Sequence, residues 1–187
     1  MGDQSLPALP HVRWLRWVKA YAAHEDGLAA TGNTVALVLA GNGPFYPLYA
    51  FALIGWAAWA TLPTMLSAPL FAAVPWVMRR SALAGRVMLS LVGTLNTLWC
   101  VKLLGVQTGV DLFLLPSATL AAMLFYRRER WVMLPLLGLP IAAFIGAKGW
   151  YGPALLPMSA EDAARMVALN AGSVAMLTGF LGLVFRR

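Results

Sequence analysis

SATLAAMLFYRRERWVMLPLLG, residues 117–138, sets three arginines and a glutamate between two apolar runs. Such a charged knot is either a solvated turn of a globular core or the flank of two membrane helices. Composition decides between them. Of 187 residues, 60% are hydrophobic and 11% are charged, with a mean hydropathy of +0.72. A soluble domain carries roughly 25% charged residues, so this chain has too few polar groups to cover a water-facing surface. The sequence predicts an all-α integral membrane protein.

The net charge of +7 is not spread along a stripe. It falls in clusters between apolar runs: Arg13, Arg16 and Lys19; Arg79, Arg80 and Arg86; Arg127, Arg128 and Arg130; Arg186 and Arg187. That is the positive-inside pattern of membrane proteins, not a phosphate-binding surface, and it argues against a nucleic-acid partner. Cys100 is the only cysteine, which excludes an intrachain disulfide and a cysteine-based metal site. The N-terminal MGDQSLPALP lacks the basic-then-apolar order of a secretory signal. Met1-Gly2 is followed by Leu6 where a myristoylation motif wants Ser or Thr.

Seven apolar runs are visible, at 27–41, 45–62, 66–78, 87–104, 110–126, 131–147 and 166–185. A spanning helix needs about 20 apolar residues. With Arg127–Arg130 inside, 110–126 runs inward and 131–147 outward, and the last run returns to Arg186 and Arg187. Keeping the first two clusters inside as well requires an even number of crossings between 20 and 79. Eleven of the 14 basic residues then lie inside, against Lys102, Lys148 and Arg165 outside. The expectation is six transmembrane helices with both termini cytoplasmic; seven helices with an outside N-terminus is the alternative. Residues 1–26 read as a cytoplasmic, interfacial lead and 27–187 as one six-helix transmembrane domain.

Local signals add detail. HVRWLRWVKAY, 11–21, mixes Trp14 and Trp17 with Arg13, Arg16 and Lys19, as an amphipathic interfacial helix does. GNGPFYP, 41–47, reads as a tight turn joining the first two helices. TLPTMLSAPLFAAVPW, 61–76, carries Pro63, Pro69 and Pro75, each of which removes a backbone donor. The expected arrangement is a spanning helix over 45–62 followed by a Pro-broken in-plane or re-entrant segment. Ser159, with Asp162 three residues later, marks the start of the last helix. Along that helix Ala171, Ala175 and Gly179 recur every four residues, a helix-interface pattern. No internal repeat is evident.

Chemistry-bearing residues are few. His11 and His24 have no third ligand to join them in a metal site, no nucleophile–base constellation is apparent, and nothing identifies a cofactor. Intramembrane polar groups are better candidates, because burying one without a partner is costly. Asn33, Asn96 and Asn170 each fall within a predicted helix, and Trp99 shares a helical face with Asn96. Lys102 and Asp111 flank the external turn LGVQTG, either as simple helix-end charges or as a pair closing a cavity mouth. Pro116 is expected to kink the following helix. The ligand-binding candidates are therefore Asn33, Asn96, Trp99, Lys102, Asp111 and Pro116.

Over 86–130, a helix with Asn96 is followed by a turn with Gly105 and Gly109, then by Val110, Leu112, Phe113, Leu115 and Pro116. A small, apolar helix and Arg128-Glu129 complete the order. This resembles the six-helix N-terminal membrane (sensor) domains of some bacterial adenylate/guanylate cyclases and histidine kinases. The resemblance implies an input domain of the bacterial inner membrane, usually dimeric, whose last helix drives a cytoplasmic effector. Here Arg187 follows that helix directly, so either the effector is a separate protein or the signalling role does not carry over. The leading expectation is a non-enzymatic inner-membrane sensor-like or accessory protein. It would bind a small apolar or amphipathic ligand or partner transmembrane helices, with the lipid bilayer and a homodimer mate or other membrane protein as partners. A structural subunit of a respiratory or photosynthetic complex and a small-solute transporter are the alternatives.

Overall fold

In the computed structural model, residues 10–186 are described, without the side chains of Pro10, His11, Val12, Ala147 and Lys148. Gly2, Leu6 and Arg187, and the side chains of His11 and Lys148, therefore lie outside the described residues. The described elements are all helical: α1 (Pro10–Ala22), α2 (Gly27–Asn42), α3 (Phe45–Ile54), a 3-10 helix (Gly55–Ser67), α4 (Ala68–Arg80), α5 (Ala82–Leu104), α6 (Leu114–Met123), α7 (Arg130–Trp150) and α8 (Ala160–Val184). Short 3-10 turns, Val106–Thr108 and Val110–Phe113, lead from α5 into α6. Four helical segments, Phe45–Arg80, Ala82–Leu104, Arg127–Gly146 and Ala160–Val184, are long and apolar enough to cross a membrane by length and composition. This points to a membrane protein.

The segment Phe45–Arg80 is not one rod, because it folds back at Gly55. That residue has φ +60° and ψ −138°, a conformation essentially reserved for glycine. The contacts on either side fix the pairing. A Cβ placed on Gly43 would lie 3.2 Å from the Cβ of Ala68, and one on Gly32 would meet the Met78 side chain. Ala50 and Ile54 share a buried cluster with Ala58. Each pair is roughly symmetric about Gly55. Residues 27–54 and 55–80 are thus two antiparallel arms of one helical hairpin.

This corrects the sequence reading in two places. GNGPFYP is not the turn: Gly43 (φ −49°, ψ −50°) and Pro44 (φ −65°, ψ −23°) are right-handed helical, so α2 continues into α3 with only a short interruption. Proline suits the start of a helix because its missing N–H has no acceptor there. The prolines at 61–76 do not create a separate in-plane piece either. Pro69 sits in the first turn of α4, and Pro63 and Pro75 are carried within the returning arm. A spanning helix over 45–62 does not form, because the reversal at Gly55 cuts it.

The returning arm owes its shape to a three-residue period. Between Gly55 and Ser67 the sequence reads GWA-AWA-TLP-TML-S, so Gly55, Ala58, Thr61, Thr64 and Ser67 recur every third residue. A 3-10 helix has 3.0 residues per turn and eclipses i with i+3, which stacks these small side chains in one row. Ala58, Thr61, Thr64 and Ser67 are buried, while Trp56, Trp59 and Leu62 form the exposed row. The hydroxyls stay on their own helix: Thr61 Oγ1 donates to the Ala58 carbonyl and Thr64 Oγ1 to that of Thr61, both at 2.7 Å. At 2.0 Å per residue this 13-residue stretch rises about 26 Å, so the two arms come to similar lengths of roughly 42 and 46 Å.

The remaining helices alternate in direction. The 22–27, 80–82 and 124–130 junctions gather at one end, where Arg79 donates to the Ala20 and Tyr21 carbonyls and Arg86 reaches Glu129. Leu181 near the end of α8 packs in the same core cluster as Met78 and Leu124. Arg79 beside α1 agrees with an even number of passages between 20 and 79. At the opposite end the 151–159 loop pairs with α5 through Leu155 N–H to Lys102 O (3.0 Å) and Leu156 N–H to Leu103 O (2.9 Å). The tight α4–α5 turn depends on Gly85, where a Cβ would lie 2.8 Å from the Met78 Cα.

Mutation separates Gly55, where the chain reverses, from Gly43, where the sequence pattern predicts the turn. Gly55→Ala is expected to cost about 1–3 kcal/mol from backbone strain alone, because nothing lies within 4 Å of the added Cβ. Gly43→Ala, in right-handed backbone, needs only a slight shift of Ala68 and should cost less. Thermal unfolding in detergent checks both; a greater loss at Gly43 would place the turn there instead.

Candidate functional site

Most of the buried charge chemistry centres on Arg86, one turn into α5, which is 2% exposed. Its guanidinium makes a bidentate pair with Glu129 at 2.8 Å on each arm and donates to the Leu124 carbonyl at 3.3 Å. Asp26 Oδ2 lies 3.9 Å away. Asp26 caps α2, accepting from Leu28 and Ala29 N–H, and Tyr126 Oη donates to it at 3.0 Å. Glu129 closes the loop by accepting the Tyr126 N–H. One guanidinium thus joins the beginnings of α2, α5 and α7 to the end of α6. Burial pushes the Asp26 carboxyl up, but the Ala29 amide, Tyr126 hydroxyl, Arg86 charge and Leu28 amide together outweigh it and hold its pKa below 3.8.

At the opposite end sits a second polar knot. Asn170 of α8 is fully buried, accepts from Tyr46 Oη at 3.0 Å and donates to the Thr108 carbonyl at 2.9 Å. It ties α8 to α3 and to the turn after α5. Beside it a recess of about 420 Å³ is lined by Val101, Gly105, Val106, Gln107, Tyr151 and Pro153, among others. That volume is within the range of small-ligand sites, and the lining is largely apolar side chain and backbone.

The predicted site residues are only partly brought together. Lys102 lies by the recess, with Nζ donating to the carbonyls of Tyr151 (2.9 Å) and Pro153 (3.2 Å). It tethers the α7–α8 loop, and among the described residues it forms no ion pair with Asp111. Asp111 is buried in the first turn of the 3-10 lead into α6. Pro116 falls in the first turn of α6, where a proline needs no donor, so the expected kink is replaced by that 3-10 lead. Trp99 Nε1 donates to the Pro63 carbonyl at 3.2 Å, joining α5 to the 3-10 helix. Asn96 instead faces the Cys100 thiol at 3.9 Å, so amide and indole serve different partners. Asn33 belongs to the other half of the bundle. Its Nδ2 donates to the Ala22 carbonyl, while its Oδ1 is buried with no hydrogen-bond partner among the described residues.

The helix-interface residues are all exposed. Ser159 caps α8 as its spacing predicted, accepting the Asp162 N–H at 3.1 Å. Beyond Asn170 no residue of α8 is fully buried until Leu181. Ala171, Ala175 and Gly179 face outward there, extended by Ala164, Ala168 and Gly182 on the same side. His24 has both ring nitrogens engaged: Nδ1 accepts from Asp26 N–H and Nε2 lies 3.1 Å from the Met78 carbonyl.

Comparison of the chain with protein-family models, curated proteins and solved structures finds no match.

Removing Arg86 would leave Glu129 and Asp26 without their cation. Arg86→Leu is expected to cost about 3–5 kcal/mol, and pairing it with Glu129→Leu should recover part of that loss. Thermal unfolding of both variants checks the coupling. Because folding depresses the Asp26 pKa, its contribution is present above the unfolded value and fades as pH falls through the folded one. Stability should therefore drop below about pH 4, and less steeply in Asp26→Asn.

Proposed function

We propose that the chain is a six-pass inner-membrane protein whose basic end is cytoplasmic, acting as a sensor-like accessory protein that pairs with a second copy of itself along α8. The passes are 27–54, 55–80, 82–104, 110–123, 130–150 and 160–184. The observation that carries the pairing is a mismatch on α8. Its apolar window has the highest hydropathy of the four candidate spans, 1.8, yet only 11% of it is buried. One exposed stripe, beside Met176 and Leu183, carries Ala164, Ala168, Ala171, Ala175, Gly179 and Gly182, and small residues let a neighbouring helix approach closely in lipid. The recess at 101–107 supplies the input, because Thr108, next to it, is hydrogen-bonded to Asn170 on α8. A small apolar or amphipathic molecule seated there would press on the turn that holds α8. The resemblance over 86–130 supports the same assignment.

The transport reading has less support. The hydroxyls of the Pro-containing arm are bound to its own backbone and offer no polar path. A subunit of a larger complex would use the same α8 face, and the test separates the two.

In a Cys100→Ser background, Ala175→Cys should form a disulfide-linked homodimer in native membranes, and Ala171→Leu with Gly179→Leu should abolish it. A cross-link to a different chain would favour the complex-subunit reading. No cross-link in membranes, with a monomer in mild detergent, would overturn pairing along α8. Orientation is checked in the same background: Gln107→Cys should react with an impermeant maleimide from outside, and Arg128→Cys only after lysis.

A further inference from the structure

At the basic end a recess of about 480 Å³ opens between the α1–α2 junction and the α4–α5 turn, lined by His24, Glu25, Arg79, Arg80 and Ser81 above Met78 and Ala82. Its two arginines are held in place before any ligand arrives. Arg79 is fixed by the Ala20 and Tyr21 carbonyls and lies 5.0 Å over the Tyr21 ring. Arg80 stacks on Trp76 at 3.8 Å from the ring centroid. Among the described residues Arg80 has neither a hydrogen bond nor an ion pair, so its donor edge is free. Glu25, exposed on the rim, is the one carboxylate lining the recess, which leaves a net positive charge.

The surroundings define the ligand class. Trp76 is half exposed beside Arg80, and Trp14 and Trp17 of α1 are each 63% exposed. Exposed indoles next to arginines at the end of an apolar helix belong at headgroup depth, where rings meet the lipid interface and cations meet phosphate. We propose that this recess is a headgroup site for an anionic phospholipid. Its phosphodiester sits between Arg79 and Arg80, and its acyl chains run down the exposed side of α4 past Leu70 and Trp76. The site rests on the membrane reading above but not on pairing along α8.

The test uses the full chain in neutral detergent, followed by native mass spectrometry during titration with dioleoyl-phosphatidylglycerol or dioleoyl-phosphatidylcholine. The anionic phosphatidylglycerol should be retained more tightly than the zwitterionic phosphatidylcholine. Arg80→Gln, which removes the stack on Trp76 but no hydrogen bond or ion pair of the fold, should weaken its retention about fivefold, the effect of one interfacial basic residue. Glu25→Gln should strengthen it. Arg127→Gln with Arg128→Gln, at the same end but outside the recess, should leave it unchanged. Equal retention of the two lipids overturns the site, as does an equal loss in the Arg127/Arg128 variant, which would mean diffuse attraction. Displacement by millimolar glycerol 3-phosphate would assign the recess to a soluble phosphate and also overturn it. If instead the protein is recovered in the soluble fraction without detergent, the membrane reading itself has failed.

Discussion

The arrangement depends first on one buried guanidinium. Arg86 is surrounded by two carboxylates and a carbonyl from two interhelical junctions, Asp26 from the one before α2 and Leu124 and Glu129 from the one between α6 and α7. A buried cation is tolerated only when its partners are present and well aimed, and the bidentate pair with Glu129 meets that condition. The group is one negative charge in excess, and the excess is absorbed locally. Asp26 receives the first amides of α2, and Glu129 receives the Tyr126 amide, so each carboxylate neutralises a helix end while facing Arg86. The two carboxylates therefore start α2 and the 3-10 turn before α7, and Arg86 fixes where both sit relative to α5. Apolar packing alone would not set that register, because lipid and core are equally apolar.

The second constraint is geometric. The hairpin pairs one arm that is largely α-helical with another that includes thirteen 3-10 residues, and the two arms are still of similar length. The period of three also sorts the side chains. Small and hydroxyl residues fall against the bundle, and tryptophans fall outside. A long 3-10 run is ordinarily unfavourable. Here the stacked Thr61, Thr64 and Ser67 hydroxyls each bond a carbonyl three residues earlier, and Trp99 reaches the Pro63 carbonyl. These bonds engage backbone acceptors on an arm where Pro63 supplies no amide donor.

Charge placement and apolar length were legible in the sequence. The even number of passages between the first two basic clusters, the cap at Ser159 and the existence of the Ala171–Ala175–Gly179 stripe follow from spacing alone; that the stripe faces outward does not. The hairpin turn was not legible, because Gly43 and Pro44 form a stronger turn signal than the isolated Gly55, and only tertiary pairing shows which glycine reverses the chain. The three-residue repeat was present but hidden, since its small residues differ in kind: glycine, alanine, threonine and serine. Arg86 was read as a flanking charge because it lies only six residues beyond Arg80. It is in fact one turn inside α5, where the Ser81 cap places it. Of the polar candidates, Asn170 gained two partners by folding, whereas Asn96 and Trp99 were drawn to different neighbours, which periodicity cannot foresee.

What remains is an unequal distribution of restraint. The hairpin and α5 are tied to their neighbours at both ends, by Arg79 and Arg86 at one and by Tyr46, Trp99 and Lys102 at the other. α8 is held differently. It is fixed over its first half by Ala163, Met166 and Asn170 and near its end by Leu181, with ten residues between Asn170 and Leu181 that contribute no fully buried side chain. Between Asn170 and Leu181 only partly buried side chains such as Leu177 and Phe180 touch the core, so little packing there resists a displacement passed along α8. The point at Asn170 is also the one next to the recess. On the proposed reading, a ligand at 101–107 would thus act on the helix whose small-residue face meets the second copy.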